Sequence, residues 1–254
     1  MSTYRYRQYR AALKAVPFKG MYLPYEWGQL PQTLPFEWMA YAEMFNEFSR
    51  ELANAVNALT AYTHRLAAWR DVVEGLDDRG RLSVSHEFVD VLATTALNLP
   101  YVIRSRFIFA SAHLCHQAGS LKAPHGWKDD LPLDDEIYLA QAQTAGAPWK
   151  AWAKLKTKIE RIGDRTYQAK TKNFRNSYNH RFSPRIVIGQ TNIVTRIVDD
   201  ETNQVSYALG GTDALSLKLV VELLEKQCQD CYRAFEDFQK LVREQEKAIC
   251  SAVP

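Results

Sequence analysis

The chain has 254 residues, 46% of them hydrophobic and 24% charged, with 11 glycines, 10 prolines and a formal net charge of +3. That mixture excludes collagen-like, low-complexity and wholly disordered classes, and the length is ample for a sizeable core. No run of about 18 apolar residues predicts a membrane helix, and Met1-Ser2-Thr3-Tyr4-Arg5 opens no apolar signal core. Cys115, Cys228, Cys231 and Cys250 are too few for a disulfide framework, so the expected compartment is a reducing cytoplasm.

The small net charge hides a strong asymmetry. Residues 150–185 carry 11 Lys/Arg against two acids, a balance of +9, whereas residues 37–149 sum to −6 and residues 186–254 to −4. Two readings of the basic segment stand: an electrostatic footprint for phosphate, or a solvated basic face balancing acidic neighbours.

Residues 1–36 interleave Tyr4, Tyr6 and Tyr9 with Arg5, Arg7 and Arg10, and continue through Pro17, Pro24, Pro31 and Pro35. Proline restricts its own φ and the residue before it, so the segment is expected to be an extended aromatic and basic arm packed on the body. Its Tyr/Arg alternation also suits stacking on bases. The remainder, 37–254, is expected to form one helical domain.

From Glu37, Trp38, Tyr41, Phe45, Phe48, Leu52 and their successors to Trp69 recur at spacings of three and four, predicting a long bundle helix that ends at Gly75 and the Asp77–Gly80 cluster. Ser85 is the expected cap of a second helix that Pro100 should kink or split and that runs to about Gln117. A short helix is expected over 135–143, then a third long helix from Pro148 to about His180, stopped by Pro184. Ile, Val and Thr then dominate 185–198 and 204–209, predicting a β-hairpin over 185–210 with its loop at Asp199–Asn203. Thr212 or Asp213 should cap the final helix. The expected fold is mainly α, an antiparallel bundle of four to five long helices with a β-hairpin inserted before the last.

Phosphate-binding loops, dinucleotide-binding turns, His-Glu-x-x-His and nucleophile elbows are missing from the sequence. Cys228-x-x-Cys231 falls at core spacing within the last helix and lacks a second pair. His113 and His116, three residues apart, share a helical face with Arg106. They could ligate a metal, hydrogen-bond within the bundle, or support an active centre on a neighbouring helix.

The densest polar stretch is 170–185. Arg175 and His180 are suited to a phosphodiester, since imidazole moves protons near neutral pH and guanidinium holds two phosphate oxygens. On a continuous helix they would stand about 140° apart. A helix ending or loosening near Asn179, as Pro184 suggests, is expected to turn both into one pocket. Read without that chemistry, Arg175 and Asn176 would instead favour a helix C-terminus, with His180 bonding a last-turn carbonyl.

The string Arg175-Asn176-Ser177-Tyr178-Asn179-His180 resembles the Arg-x4-His signature of the HEPN superfamily. The likeness is specific over six to ten residues, and elsewhere rests on the helical layout of 37–250. It implies a metal-independent endoribonuclease, often a toxin or phage-defence effector, and a homodimer in which two motifs face one cleft. By that likeness Arg175 and His180 are the catalytic pair and Asn176 shapes the site. No cofactor is implied, and an antitoxin or regulatory partner is. The alternative within the family is a non-catalytic interaction or nucleotide/RNA-binding module. HEPN toxins controlled by nucleotidyltransferase antitoxins can carry a modified Tyr two residues after the His; here Phe182 stands there without a hydroxyl. Lys170, Lys172, Arg181 and Arg185 flank the motif and are the expected RNA contacts, suited to accessible single-stranded loops.

Overall fold

The structure is a computed structural model that describes residues 2–31 and 33–252; Met1, Gln32, Val253 and Pro254, at the edges of the two expected segments, lie outside it. The chain is mainly helical, with short antiparallel strands before its last helix. Among the described residues no helix is long and apolar enough to cross a membrane. The chain divides into two compact units, one built from 1–20, 61–98 and 165–225, the other from 21–60, 99–164 and 226–254. Three long helices, α2 (Met39–Glu74), α4 (Asp90–Gly119) and α9 (Leu217–Ala252), each contribute residues to both.

The first unit begins with α1 (Ser2–Ala15), so the front of the arm expected to be extended is helical. The prolines on which that expectation rested start only at Pro17, and none interrupts residues 2–15. Tyr9, 4% exposed, lies flat on Trp69 with centroids 4.5 Å apart, and Phe88 stacks on Trp69 at 4.9 Å.

The second long helical region starts earlier than Ser85. Asp77 caps α3 (Asp78–Val84) by accepting the Gly80 N–H, and a π-helical turn over Ser85–Val89 joins α3 to α4. The charged cluster expected to end one helix therefore begins the next. Ser85 turns its hydroxyl to the Asp90 carboxylate (2.7 Å) and the Ile186 carbonyl (2.9 Å) instead of capping. Pro100 lies inside α4 without splitting it.

The expected third long helix is broken into α6 (Trp152–Ile159), α7 (Arg165–Lys170) and α8 (Phe174–His180). Gly163 at φ +61°, and Lys172 and Asn173 at φ 52° and 56°, occupy left-handed backbone that no helix continues through.

After α8, strands β1 (Gln190–Thr191) and β4 (Thr212–Asp213) pair, as do β2 (Val194–Val198) and β3 (Val205–Leu209) in the register Val194↔Leu209 to Val198↔Val205. The observed ladder spans 190–213 rather than 185–210, because Val187 and Gly189 have φ of 73° and 105°. Thr212 and Asp213 belong to the ladder; the Ser216 hydroxyl accepts the Leu219 N–H at the start of α9.

The described residues of 17–35 hold no helix or strand, and from Met21 they belong to the second unit. The part from Met21 is latched by side chains: the Met21 N–H donates to Tyr232, Leu23 to Asn57 (2.7 Å) and Gln29 to Glu246 (2.8 Å). Trp27 meets Phe45 edge-on at 5.0 Å, and a side chain at Gly28 would collide with the same ring. Beyond α4 come a loop, a 3-10 turn at Asp134–Glu136 and α5 (Leu139–Gly146). Tyr41, Phe107, Trp149, Trp152, Phe235 and Phe238 are the largest fully buried side chains described in this unit.

Candidate functional site

The helix that carries the motif is short and held by a single large anchor. Phe174, 2% exposed, opens α8, and Tyr178 stacks on it with centroids 5.9 Å apart and planes 10° from parallel. The Arg181 N–H closes the last turn on the Ser177 carbonyl at 2.8 Å. Upstream, the Tyr167 hydroxyl donates to the Leu97 carbonyl (3.0 Å), and the buried Thr171 hydroxyl donates to the Tyr167 carbonyl (2.9 Å). These bonds fix the turn that delivers α8.

Arg175 and His180 are exposed and Asn176 is half-buried. The helix ends at His180, one residue beyond Asn179 and close to where an end was expected, but it stays regular up to that point. The two side chains therefore leave the axis about 140° apart, and one copy of α8 does not aim both at one atom. Lys170, Arg181 and Arg185 are exposed, and among the described residues none of them, nor His180, has a carboxylate partner. The Lys172 ammonium is held on a backbone oxygen, donating to the Asp213 carbonyl at 2.8 Å. Lys170, Arg181 and Arg185 thus leave exposed positive charge on either side of α8.

Arg106, His113 and His116 fall in the other unit. Arg106 pairs with Glu51 at 3.0 Å, His116 Nε2 with Asp129 at 2.9 Å, and His113 Nε2 lies 3.3 Å from Asp134. Each imidazole thus has its own carboxylate, and among the described residues no group of three His, Cys, Asp or Glu could hold a metal ion. Burial lowers the His113 pKa, against the opposing pull of Asp134. Asp129 and Asp134 had no signal of their own in the sequence, being two acids in a run of five over 129–136. Cys228 and Cys231 are buried and in no disulfide, and burial pushes the Cys231 thiol well up.

A cleft of about 420 Å³ also lies in this unit, floored by Phe48, Phe109 and Leu52 and rimmed by Glu47, Arg106 and Asp134. Its rings meet edge-on at 5.4 Å. Comparison of the chain with protein-family models, with curated proteins and with solved structures finds no match.

Proposed function

We propose that this chain is a metal-independent endoribonuclease acting through Arg175 and His180, as its likeness to the HEPN motif implies. The supporting observation is the exposure of both side chains on α8 among cations without carboxylate partners. A phosphate backbone is the natural counter-charge for such a surface.

In the proposed reaction the 2′-hydroxyl of the RNA attacks the adjacent phosphorus. The O2′–P bond forms, the P–O5′ bond breaks, and the products are a 2′,3′-cyclic phosphate and a 5′-hydroxyl. His180 accepts the 2′ proton, and an imidazolium returns one to the departing 5′ oxygen. Arg175 holds the phosphorane oxygens as charge builds on them. The divergence of the two side chains on one helix makes a cleft shared by two copies the way to bring guanidinium and imidazole to one phosphate. The same divergence favours the second reading, an RNA-binding surface without cleavage.

Incubation of total and transfer RNA in chelator with wild type, His180→Ala and Arg175→Ala, followed by end-group analysis, separates the two. The ribonuclease reading expects cyclic-phosphate ends from wild type and a loss of about 100-fold or more in each variant. Intact RNA across substrates, or cleavage that survives His180→Ala, overturns it.

A further inference from the structure

The β2–β3 hairpin is the most unusual surface on the molecule, because every residue of both strands is exposed. In the observed register Val194, Val198, Val205, Tyr207 and Leu209 share one face with Arg196, while Thr195, Ser206 and Ala208 lie on the other with Ile197. Leu209 is 85% exposed and Tyr207 68%. A lone two-stranded hairpin is marginal in water, and a contiguous apolar face of this kind marks an interaction surface.

Charge narrows the partner. Residues 190–213 carry Arg196 against Asp199, Asp200, Glu201 and Asp213, a balance of −3, with three of those acids at the tip. The tip is built, since Asp199 Oδ1 accepts the Glu201 and Thr202 N–H groups and the Thr202 hydroxyl at 2.8–3.1 Å. Those bonds hold its carboxyl below the usual range and therefore ionised. Such a tip repels nucleic acid and suits a basic surface with apolar rings on it. The chain itself supplies one: Lys170, Arg181 and Arg185 accompany Tyr178, 53% exposed, and Phe182, 79% exposed.

Both halves belong to the same unit, and the base of the ladder is pinned beside the start of α8 by Lys172 on the Asp213 carbonyl and by the Leu215 N–H on the Arg185 carbonyl. A surface carrying both members of a complementary pair can meet its own copy about a two-fold axis, so that the same pairing is made twice. We propose that the apolar face and acidic tip of the hairpin dock on the basic, aromatic surface of α8 and residues 181–185 in a second copy of this chain. The docking does not depend on the ribonuclease reading. If that reading also holds, the hairpin brings two Arg175/His180 motifs into one assembly and restricts access to them.

Sedimentation of the full chain, without RNA, tests this. Wild type is expected to be a dimer that weakens with salt. Leu209→Asp, on a strand with no covering element, is expected to weaken it by about thirtyfold or more while leaving the melting temperature in place. Asp200→Lys with Glu201→Lys, and separately Arg181→Glu with Arg185→Glu, should each dimerise poorly, and mixing the two double variants should restore a heterodimer. A monomeric wild type, a dimer indifferent to Leu209→Asp, or no recovery on mixing overturns the proposal. So does a hairpin on which Leu209→Asp reduces RNA binding and leaves the dimer intact. A wild-type dimer that behaves as expected but leaves RNA intact would overturn the ribonuclease reading alone.

Discussion

Tyr9 lies on Trp69 with ring planes 8° from parallel, so a residue near the start of the chain is a core residue of its unit. Tyr6 extends the stack toward Phe88 at 6.4 Å, and the Arg65 guanidinium reaches the Tyr9 hydroxyl at 3.4 Å. The helix α1 has few apolar residues to bury, and this ring is its main attachment. Tyr9→Ala is expected to cost about 3 kcal/mol, in the range for deleting a buried aromatic, and Tyr4→Ala less than about 0.5 kcal/mol. Urea unfolding of the two variants measures the contrast.

The same stack shows what the sequence carried and what it did not. The three-and-four spacing from Trp38 to Trp69 located α2 almost to the residue, because a helix buried along one face must repeat its apolar side chains at that period. Turn chemistry was legible too, and the Asp199–Asn203 loop falls where it was expected. The breaks between α6, α7 and α8 were not. Lys172 and Asn173 take left-handed backbone that their letters do not demand, and Gln168 Nε2 donates to Asn173 Oδ1 at 2.8 Å across the break. For the motif, its residues, their basic surroundings and a helix end near Asn179 were legible, whereas the regularity of α8 up to that end could not be read from spacing.

Gly163 marks one of those breaks and should tolerate no side chain. Its φ is +61°, its N–H donates to the buried Gln227 at 2.7 Å, and an added Cβ would stand 3.1 Å from the Tyr101 ring. Gly163→Ala is expected to destabilise by about 1–2 kcal/mol through the strained backbone and the crowded ring. Gln227→Leu should cost about 1–3 kcal/mol by leaving that N–H unsatisfied. Thermal melts of both variants provide the check.

His116 works as a clasp on the loop after α4. Its Nε2 meets Asp129, its carbonyl accepts the Trp127 indole N–H at 3.0 Å, and the two rings lie 5.3 Å apart. His116→Ala is expected to speed amide exchange and proteolysis across 120–133 by about tenfold, the effect of losing roughly 1.4 kcal/mol locally. Asp129→Asn, which keeps an acceptor oxygen, should produce a smaller change. Equal exchange in His116→Ala and wild type would remove the clasp.

Two groups of the second unit, one half-buried and one buried, give pH dependences of opposite sign. Burial lowers the His113 pKa from its ordinary 6.5, so the unfolded chain binds the proton more readily. His113 therefore contributes stability that is full above 6.5 and is lost as pH falls through its lower folded value. Burial raises Glu246, 2% exposed, above the ordinary 4.5, outweighing the Gln29 and Leu30 N–H groups that favour its charged form. Its Oε2 has no hydrogen-bond partner among the described residues. Glu246 therefore contributes stability present below 4.5 that is lost as pH rises through its folded value. In mildly acidic solution the two slopes oppose one another and the wild-type profile is flattened. His113→Gln should leave a profile that falls with rising pH, and Glu246→Gln one that rises with it. Chemical denaturation across that range is the measurement; parallel profiles for the two variants would show that neither group governs the dependence.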